Sequence, residues 1–202
     1  TMDPFLAACT GIDALVHAIE AFVSIGSGPL TDHHALEAMR LISGNLIEMI
    51  ANPSDIVLRE QIMLGSMQAG LAFSNAILGA VHAMSHSLGG YLDLPHGQCN
   101  ATLIEHVVAF NFDSAPERFK VIAQTLGIDC RGLSSPQIRQ HLIDYLIAFK
   151  RAVGFQDSLA TYGVSASDIP FLSRHAMVDP CILTNPRASN QRDMEVVYGE
   201  AL

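Results

Sequence analysis

Two pairs of polar residues repeat a four-residue spacing that could build a metal site. Asp13 precedes His17 by four positions, and His82 precedes His86 by the same interval. Residues four apart on a helix share one face, one turn apart. His96 follows ten residues after His86, in a Pro-His-Gly sequence that predicts a loop. Imidazole suits divalent first-row metals, and a carboxylate hardens such a site towards Fe(II), Mn(II) or Zn(II).

The same pairs also have a structural interpretation, because an Asp and a His four apart often form a hydrogen bond along a helix. Both pairs lie in apolar stretches, where a buried Asp or His needs a partner. The repeated spacing with His96 nearby gives a metal site about equal weight with the structural interpretation. The other five histidines stand outside such pairs and are interpreted as surface or structural residues: His33, His34, His106, His141 and His175.

Composition and charge exclude several classes of function. Of the 202 residues, 50% are hydrophobic and 15% are charged, which argues against intrinsic disorder. The net charge of −9 and the lack of a basic cluster predict no nucleic-acid partner and no anionic membrane surface. We expect no signal peptide or membrane span, since no stretch approaches ~18 uninterrupted apolar residues. The four cysteines form no C-x-x-C pair, which predicts a reducing, cytoplasmic compartment.

Apolar residues recur at helical spacing almost throughout, which predicts one all-α domain over residues 1–202. Gly89-Gly90 predicts the end of one helix, 91–97 a loop, and 179–190 a loop before a terminal turn. Ser114 and Ser134 carry the sequence signals of helix caps. The helices of the first half are predicted over about 6–24, 31–52, 55–78, 81–88 and 99–110, and a further pair within 165–177. No glycine-rich nucleotide loop and no G-x-S-x-G motif occurs.

Several segments together resemble the iron-containing, or group III, alcohol dehydrogenases. The segment Gly79–Gly90 reads GAVHAMSHSLGG and, with Pro-His-Gly at 95–97, resembles the metal-binding signature of that family. Thr10–Glu20 reads TGIDALVHAIE and is similar to its other metal-binding helix. AFSNA at 72–76 and TNPR at 184–187 also look like family segments, so the resemblance covers almost the whole chain.

The resemblance implies a fold in two halves, of which this chain resembles one. In the family an N-terminal α/β half binds the nicotinamide cofactor and a C-terminal helical half holds the metal. The chain looks like the C-terminal half alone, a helical bundle of the dehydroquinate synthase-like and iron-type alcohol dehydrogenase fold. We therefore expect the N-terminal nucleotide-binding domain to be absent from this chain. NAD(P) would then be bound mainly by that domain, so no cofactor-binding residue is assigned here and the chain alone is expected to be inactive.

By resemblance, the metal ligands fall on Asp13, His17, His82 and His96. His86 falls where the family has a histidine that lines the cleft between metal and nicotinamide, which implies a catalytic role in proton transfer or substrate positioning. The implied reaction is hydride transfer between a small alcohol or aldehyde and NAD(P), with the metal polarising the substrate oxygen.

Alternatives stay open at this point. Fe(II) is the first choice of metal and Zn(II) the second. A zinc-type relative of the same fold, such as glycerol dehydrogenase, is one alternative. A non-redox helical metal-binding module is another. The sequence leaves open the identity of the alcohol, the choice between NAD and NADP, and whether the protein forms a homo-oligomer.

Overall fold

The computed structural model describes residues 2–155 and 158–202, and over these residues the chain is helical without any strand. The all-α class predicted from the apolar spacing is confirmed. Short 3-10 turns connect some of the helices at Phe112–Ser114, Leu159–Tyr162 and Pro180–Thr184. The helices are α1 (Pro4–Val23), α2 (Pro29–Ala51), α3 (Ile56–Ala76), α4 (Ala80–Leu92), α5 (His96–Asn111), α6 (Pro116–Thr125), α7 (Ser135–Ala152), α8 (Ile169–Ala176) and α9 (Gln191–Ala201).

Helix α1 is the central helix of the core and packs against α2, α3 and α5. Asp3 caps its first turn by accepting a hydrogen bond from the backbone N–H of Leu6 at 3.0 Å. Of its 20 residues, 14 are buried, including Glu20. By length and hydropathy α1 could match a membrane span, but 78% of that stretch is buried inside the protein, as in a core helix.

A sharp bend between α3 and α4 turns the N-terminus of α4 towards α1. The two helix axes differ by 102°, and Ile77 at the bend has a φ of 62°. A β-branched residue in this region is strained, so the surrounding structure must hold it there. Two hydroxyls from neighbouring segments do so: Ser24 Oγ donates to the Ala76 carbonyl at 2.5 Å and Thr184 Oγ1 to the Leu78 carbonyl at 2.7 Å.

Two predicted boundaries close to the histidines are wrong. Helix α4 continues through Gly89 and Gly90, predicted as its end, and ends at Leu92 before Asp93, which has a φ of 55°. Helix α5 begins at His96, which was predicted to lie on a loop. Glycine inside a helix costs ~1 kcal/mol relative to alanine. Packing of α4 against both α5 and α8 offsets that cost, which no local signal could indicate.

The predicted helix caps have mixed outcomes. The capping box at Ser134 is confirmed, with the Gln137 side chain accepting from the Ser134 N–H at 2.9 Å. The cap predicted at Ser114 is wrong, because Ser114 ends a 3-10 turn and Ala115 precedes α6 without a side-chain cap. The terminal turn is a full helix, α9, which Asn190 caps.

Candidate metal centre

Three helices bring Asp13, His82 and His96 to one place. Asp13 comes from the middle of α1, His82 from the first turn of α4 and His96 from the first residue of α5. Asp13 Oδ1 lies 3.5 Å from His82 Nε2 and 3.4 Å from His96 Nε2. One ligand atom from each of the three lies within 4.8 Å of the others. We call these three residues the inner cluster.

A glycine next to His96 allows this approach. A Cβ atom at Gly97 would lie 2.0 Å from the backbone oxygen of Cys9 in α1, far inside contact distance. Only glycine therefore lets the start of α5 lie directly against α1. This close approach brings His96 to Asp13.

Glu20, which is only 3% exposed, orients His82. Its Oε2 atom lies 2.7 Å from His82 Nδ1, and a carboxylate can only accept, so Nδ1 carries the hydrogen. The opposite nitrogen, Nε2, is then directed towards Asp13. Support of a ligand histidine by a carboxylate is a common feature of metal sites.

Glu20 also binds the N-terminus of α4. Its carboxylate accepts from the backbone N–H groups of Gly79 at 3.0 Å, Val81 at 2.7 Å and His82 at 3.2 Å. These are the otherwise unpaired donors at the positive end of a helix, which favours a negative charge. One buried carboxylate therefore fixes both the helix and the imidazole that it carries.

The TNPR segment completes this helix end. Asn185 Oδ1 accepts from the Ala80 N–H at 3.1 Å and from Asn111 Nδ2 at 2.8 Å. A Cβ atom at Gly79 would lie 2.9 Å from both Glu20 Oε1 and Asn185 Oδ1. Glycine at 79 and asparagine at 185 are thus explained by the packing around the start of α4.

Asn100 is fully buried one turn after His96 and faces the inner cluster. Its Nδ2 atom lies 2.7 Å from Asp13 Oδ1, 3.3 Å from His82 Nε2 and 3.4 Å from His96 Nε2. Its own Oδ1 atom is buried without a hydrogen-bond partner. The Asn100 amide nitrogen therefore faces the same small space as the Asp13 carboxylate and the two imidazoles.

The inner cluster shifts the pKa of each of its members. Burial alone would lower the pKa of His82, but hydrogen bonds to Asp13 and Glu20 and the charge of both carboxylates raise it to about 9. Burial opposes ionisation of Asp13, yet the bond to His82 and the neighbouring imidazoles lower its pKa. Burial lowers the pKa of His96. The two carboxylates thus favour positive charge at His82, and a divalent cation would supply positive charge at the same place.

His17 flanks the inner cluster. Its Nδ1 atom lies 3.6 Å from Asp13 Oδ1, and its ring lies between those of Phe73 and His82, with both centroid separations 4.3 Å. Burial, and then the nearby charge of His82, lower the pKa of His17 to about 4, so the imidazole is neutral and keeps a lone pair. All four ligands predicted from the sequence are thus neighbours. His17 contacts two of the other three, Asp13 and His82.

His86 lies outside this group, in a second cluster at the rim. Its side chain is 45% exposed and its ring stacks on that of His96 at a centroid distance of 5.1 Å. His86 Nδ1 donates to Asp179 Oδ2 at 2.8 Å. His86, Asp179 and Cys181 offer ligand atoms that lie within 4.8 Å of one another. We call these three residues the rim cluster.

The supporting residues were not predicted from the sequence. Glu20 could have been found, since it lies seven residues after Asp13 and three after His17, on the same face of an apolar helix. Asn100 shares a helix face with His96. Asp179 has no comparable signal, because the fold alone brings it to His86.

The donor set of the inner cluster fits a divalent transition metal. Zinc-type metals bind imidazole nitrogen and carboxylate oxygen at ~2.1 Å, so neighbouring ligand atoms of a tetrahedral site lie ~3.4 Å apart. The imidazole nitrogens of His96 and His82 lie 3.4 and 3.5 Å from Asp13 Oδ1, and that of the flanking His17 lies 3.6 Å from it. A carboxylate with imidazoles is typical of Fe(II) and Zn(II) sites.

Comparison with known proteins places this chain in a known family. Residues 7–202 match the C-terminal domain of the Fe-containing alcohol dehydrogenase family. The chain is 39% identical to a 1,3-propanediol dehydrogenase of Klebsiella pneumoniae over 97% of this chain and 51% of the relative. It is 40% identical to an NAD-dependent methanol dehydrogenase of Bacillus methanolicus, over 98% of this chain and 52% of the relative.

A solved structure gives the same result. An alcohol dehydrogenase from Oenococcus oeni superimposes with a TM-score of 0.97 at 35% identity, covering 100% of this chain and 52% of that one. The chain thus spans about half the length of the curated relatives it matches.

Proposed function

Because the chain belongs to the Fe-containing alcohol dehydrogenase family, we propose that it is the metal-binding half of an NAD(P)-dependent alcohol dehydrogenase. Asp13, His17, His82 and His96 would hold the metal, with Fe(II) as first choice and Zn(II) as second. The observation that carries this proposal is the approach of three imidazole nitrogens, those of His96, His82 and His17, to within 3.4–3.6 Å of Asp13 Oδ1. A divalent ion held by these residues would supply Lewis-acid polarisation of the alcohol oxygen, which would lower the pKa of the alcohol.

The site opens towards the side where His86 lies. His82 is 1% exposed, whereas the side chains of Asp13 and His96 are 26% and 37% exposed. A small alcohol would therefore approach past His96 and His86 rather than through the core. One carboxylate and three imidazoles would leave a coordination position of the metal for a substrate oxygen.

His86 would carry the proton that leaves the alcohol. Asp179 accepts from Nδ1, so the His86 Nε2 atom keeps its lone pair for a substrate hydroxyl. Its exposure connects it to solvent, and an imidazole can accept a proton from a substrate and pass it on. Asp179 acts in this proposal as a positioning residue.

NAD(P) would be bound mainly by a nucleotide-binding half outside this helical domain. The described residues contain no strand that could present a phosphate-binding loop. Helix α3 supports an arrangement in two halves, because only four of its 21 residues are buried. Its exposed residues form an apolar face of the kind that marks an interface: Ile56, Val57, Met63, Met67 and Leu71.

The exposure of His86 disfavours the alternative of a non-redox metal-binding module. A module that only binds metal at the inner cluster would direct His86 into that metal-bound core. His86 instead lies 45% exposed at the rim, where it can reach a substrate. No described feature specifically favours the module.

The test joins this chain to the nucleotide-binding half of the Klebsiella pneumoniae 1,3-propanediol dehydrogenase. With Fe(II) supplied anaerobically, we expect the joined protein to oxidise small alcohols with NAD or NADP and the chain alone to show no turnover. His82→Ala in the same fusion should be inactive. A metal-loaded, folded fusion that oxidises no alcohol with either cofactor would contradict the proposal.

A further inference from the structure

The rim cluster combines three ligand types that the proposed reaction does not use together. His86 lies on α4, while Asp179 and Cys181 lie at the start of the 3-10 turn Pro180–Thr184. Proton transfer uses the imidazole and the carboxylate that positions it, whereas the Cys181 thiol, which contacts that carboxylate, exchanges no proton with the substrate. Thiol, imidazole and carboxylate together form a donor set suited to zinc.

The rim cluster is held in place by the fold. Asp179 Oδ1 accepts from the Cys181 backbone N–H at 2.8 Å, which leaves Oδ2 directed at His86. The Cys181 residue is 8% exposed and belongs to a small apolar cluster with Leu78 and Ala83. Two of the three ligands are therefore fixed and the third, His86, lies on the solvent side.

We propose that His86, Asp179 and Cys181 form a second cation site, separate from the inner cluster, that takes one soft divalent ion of the zinc and cadmium class. The three protein ligands would be completed by a water molecule, as in open zinc sites. The ligand atoms lie within 4.8 Å of one another. His86 Nδ1 and Asp179 Oδ2 would separate from 2.8 Å to ~3.4 Å, the spacing of adjacent ligands around zinc.

Binding of the ion releases one proton from the protein. The ion forms bonds to Nδ1, Oδ2 and Sγ, and the Cys181 thiol releases its proton to solvent. The imidazole hydrogen moves from Nδ1 to Nε2, so the ring stays neutral. Hard ions such as Mg²⁺ gain little from the thiolate and should not compete.

A cation here would also affect turnover. Bound through Nδ1 with its hydrogen on Nε2, His86 could no longer accept a proton from the substrate. The ion would thus inhibit without displacing metal from the inner cluster. This consequence rests on the proposed function, whereas the binding itself does not.

The test is a cadmium titration of the full chain in the Asp13→Asn background, which removes the carboxylate of the inner cluster. Thiolate bound to cadmium gives an ultraviolet charge-transfer band, and histidines alone do not. We expect the band to saturate at one equivalent and to be lost with Cys181→Ser. It should persist with Cys9→Ser, the matched control, since Cys9 lies one turn before Asp13.

A second variant keeps the result clear if Cys181→Ser fails to fold. His86→Ala changes an exposed side chain and should weaken cadmium binding while the band from Cys181 shifts to higher cadmium concentration. The absence of a band, a band kept by folded Cys181→Ser, or a titration unaffected by His86→Ala would overturn the second site. Loss of metal from the inner cluster leaves this band in place. Failure of the proposed function can therefore be distinguished from failure of the second cation site.

Discussion

The inner and rim clusters lie one helical turn apart on α4 and differ in how they are supported. The inner cluster combines ligands from three helices, with His82 1% exposed and bonded to the buried Glu20. The rim cluster has one exposed histidine, His86. Among the contacts described, the only hydrogen-bond partner of the His86 side chain is Asp179. The same spacing of two histidines thus produces one fixed imidazole and one accessible imidazole.

This difference separates metal binding from proton transfer. A ligand with a fixed tautomer and a fixed ring loses little freedom when a metal binds, so burial beside Glu20 favours affinity. A proton carrier must instead exchange with solvent, and burial would prevent that exchange. The predictions below test whether the two functions are divided in this way.

The largest effect is expected from removing an inner-cluster ligand. His82→Ala and Asp13→Ala should each abolish stoichiometric metal binding, because a ligand is lost from a site with few protein donors. His141→Ala, an exposed histidine on α7, is the control and should keep its metal. Metal content by mass spectrometry after anaerobic purification measures the effect. Unchanged metal in the two variants would show that the site is wrongly placed.

The next largest effect distinguishes the roles of the two clusters in the fusion with the nucleotide-binding half. His86→Ala should keep its metal and lose ~10²–10⁴ in turnover, the usual contribution of a general acid or base. His17→Ala should lose both metal and turnover. Metal content and kcat are measured on the same preparations. If His86→Ala emerges without metal, His86 is a ligand and the division between the clusters fails.

A smaller effect is expected at the support of the inner cluster. Glu20→Gln places an N–H group beside His82 Nδ1, which favours the tautomer whose Nε2 carries the hydrogen and cannot bind metal. Metal affinity should fall by ~10–100-fold. Glu48→Gln, an exposed glutamate on α2, is the control. Equal dissociation constants for wild type and Glu20→Gln would mean that Glu20 serves only to cap α4.

The corresponding change at the rim should be milder. Asp179→Asn keeps the shape of the side chain but weakens the bond that orients His86. A hydrogen bond to a charged group contributes ~1.5 kcal/mol, so turnover should fall by about tenfold. Metal content should be unchanged, which distinguishes this variant from Glu20→Gln. Loss of metal from Asp179→Asn would instead show that Asp179 contributes to metal binding at the inner cluster.

The smallest effect tests the bend that positions both clusters. Ile77→Gly should raise the melting temperature by ~2–4 °C, since glycine relieves ~1 kcal/mol of strain at positive φ. Ile47→Gly, an exposed isoleucine inside α2, should lower it because glycine weakens an ordinary helix. Thermal unfolding measures both. A melting temperature for Ile77→Gly that falls like that of the control would show that the bend stores no strain.

The sequence predicted the helical class, and helical spacing also predicted which of the site residues share a helix face. Asp13 and His17 share a face at helical spacing, and the apolar positions around them already define a buried helix. His82 and His86 could be paired in the same way. The assignment of these residues as ligands stays a prediction, because it comes from family resemblance.

Local spacing could not predict contacts between segments that are distant in the sequence. The Asp179 to His86 bond joins positions 93 residues apart, and the Glu20 to His82 bond joins positions 62 apart. The start of α5 at His96 depends on close packing at Gly97, which resembles an ordinary loop glycine in the sequence. Local spacing determines which residues share a face, whereas the bend at Ile77 determines which faces meet.

The most direct test of the central claim is to locate the metal in a crystal of the chain grown anaerobically with Fe(II) or Zn(II). An anomalous difference map should show one strong peak bounded by Asp13, His17, His82 and His96. At high zinc a second peak should appear at Asp179 and Cys181. A map with no peak at the inner cluster, under conditions where the metal is bound stoichiometrically, would contradict the account.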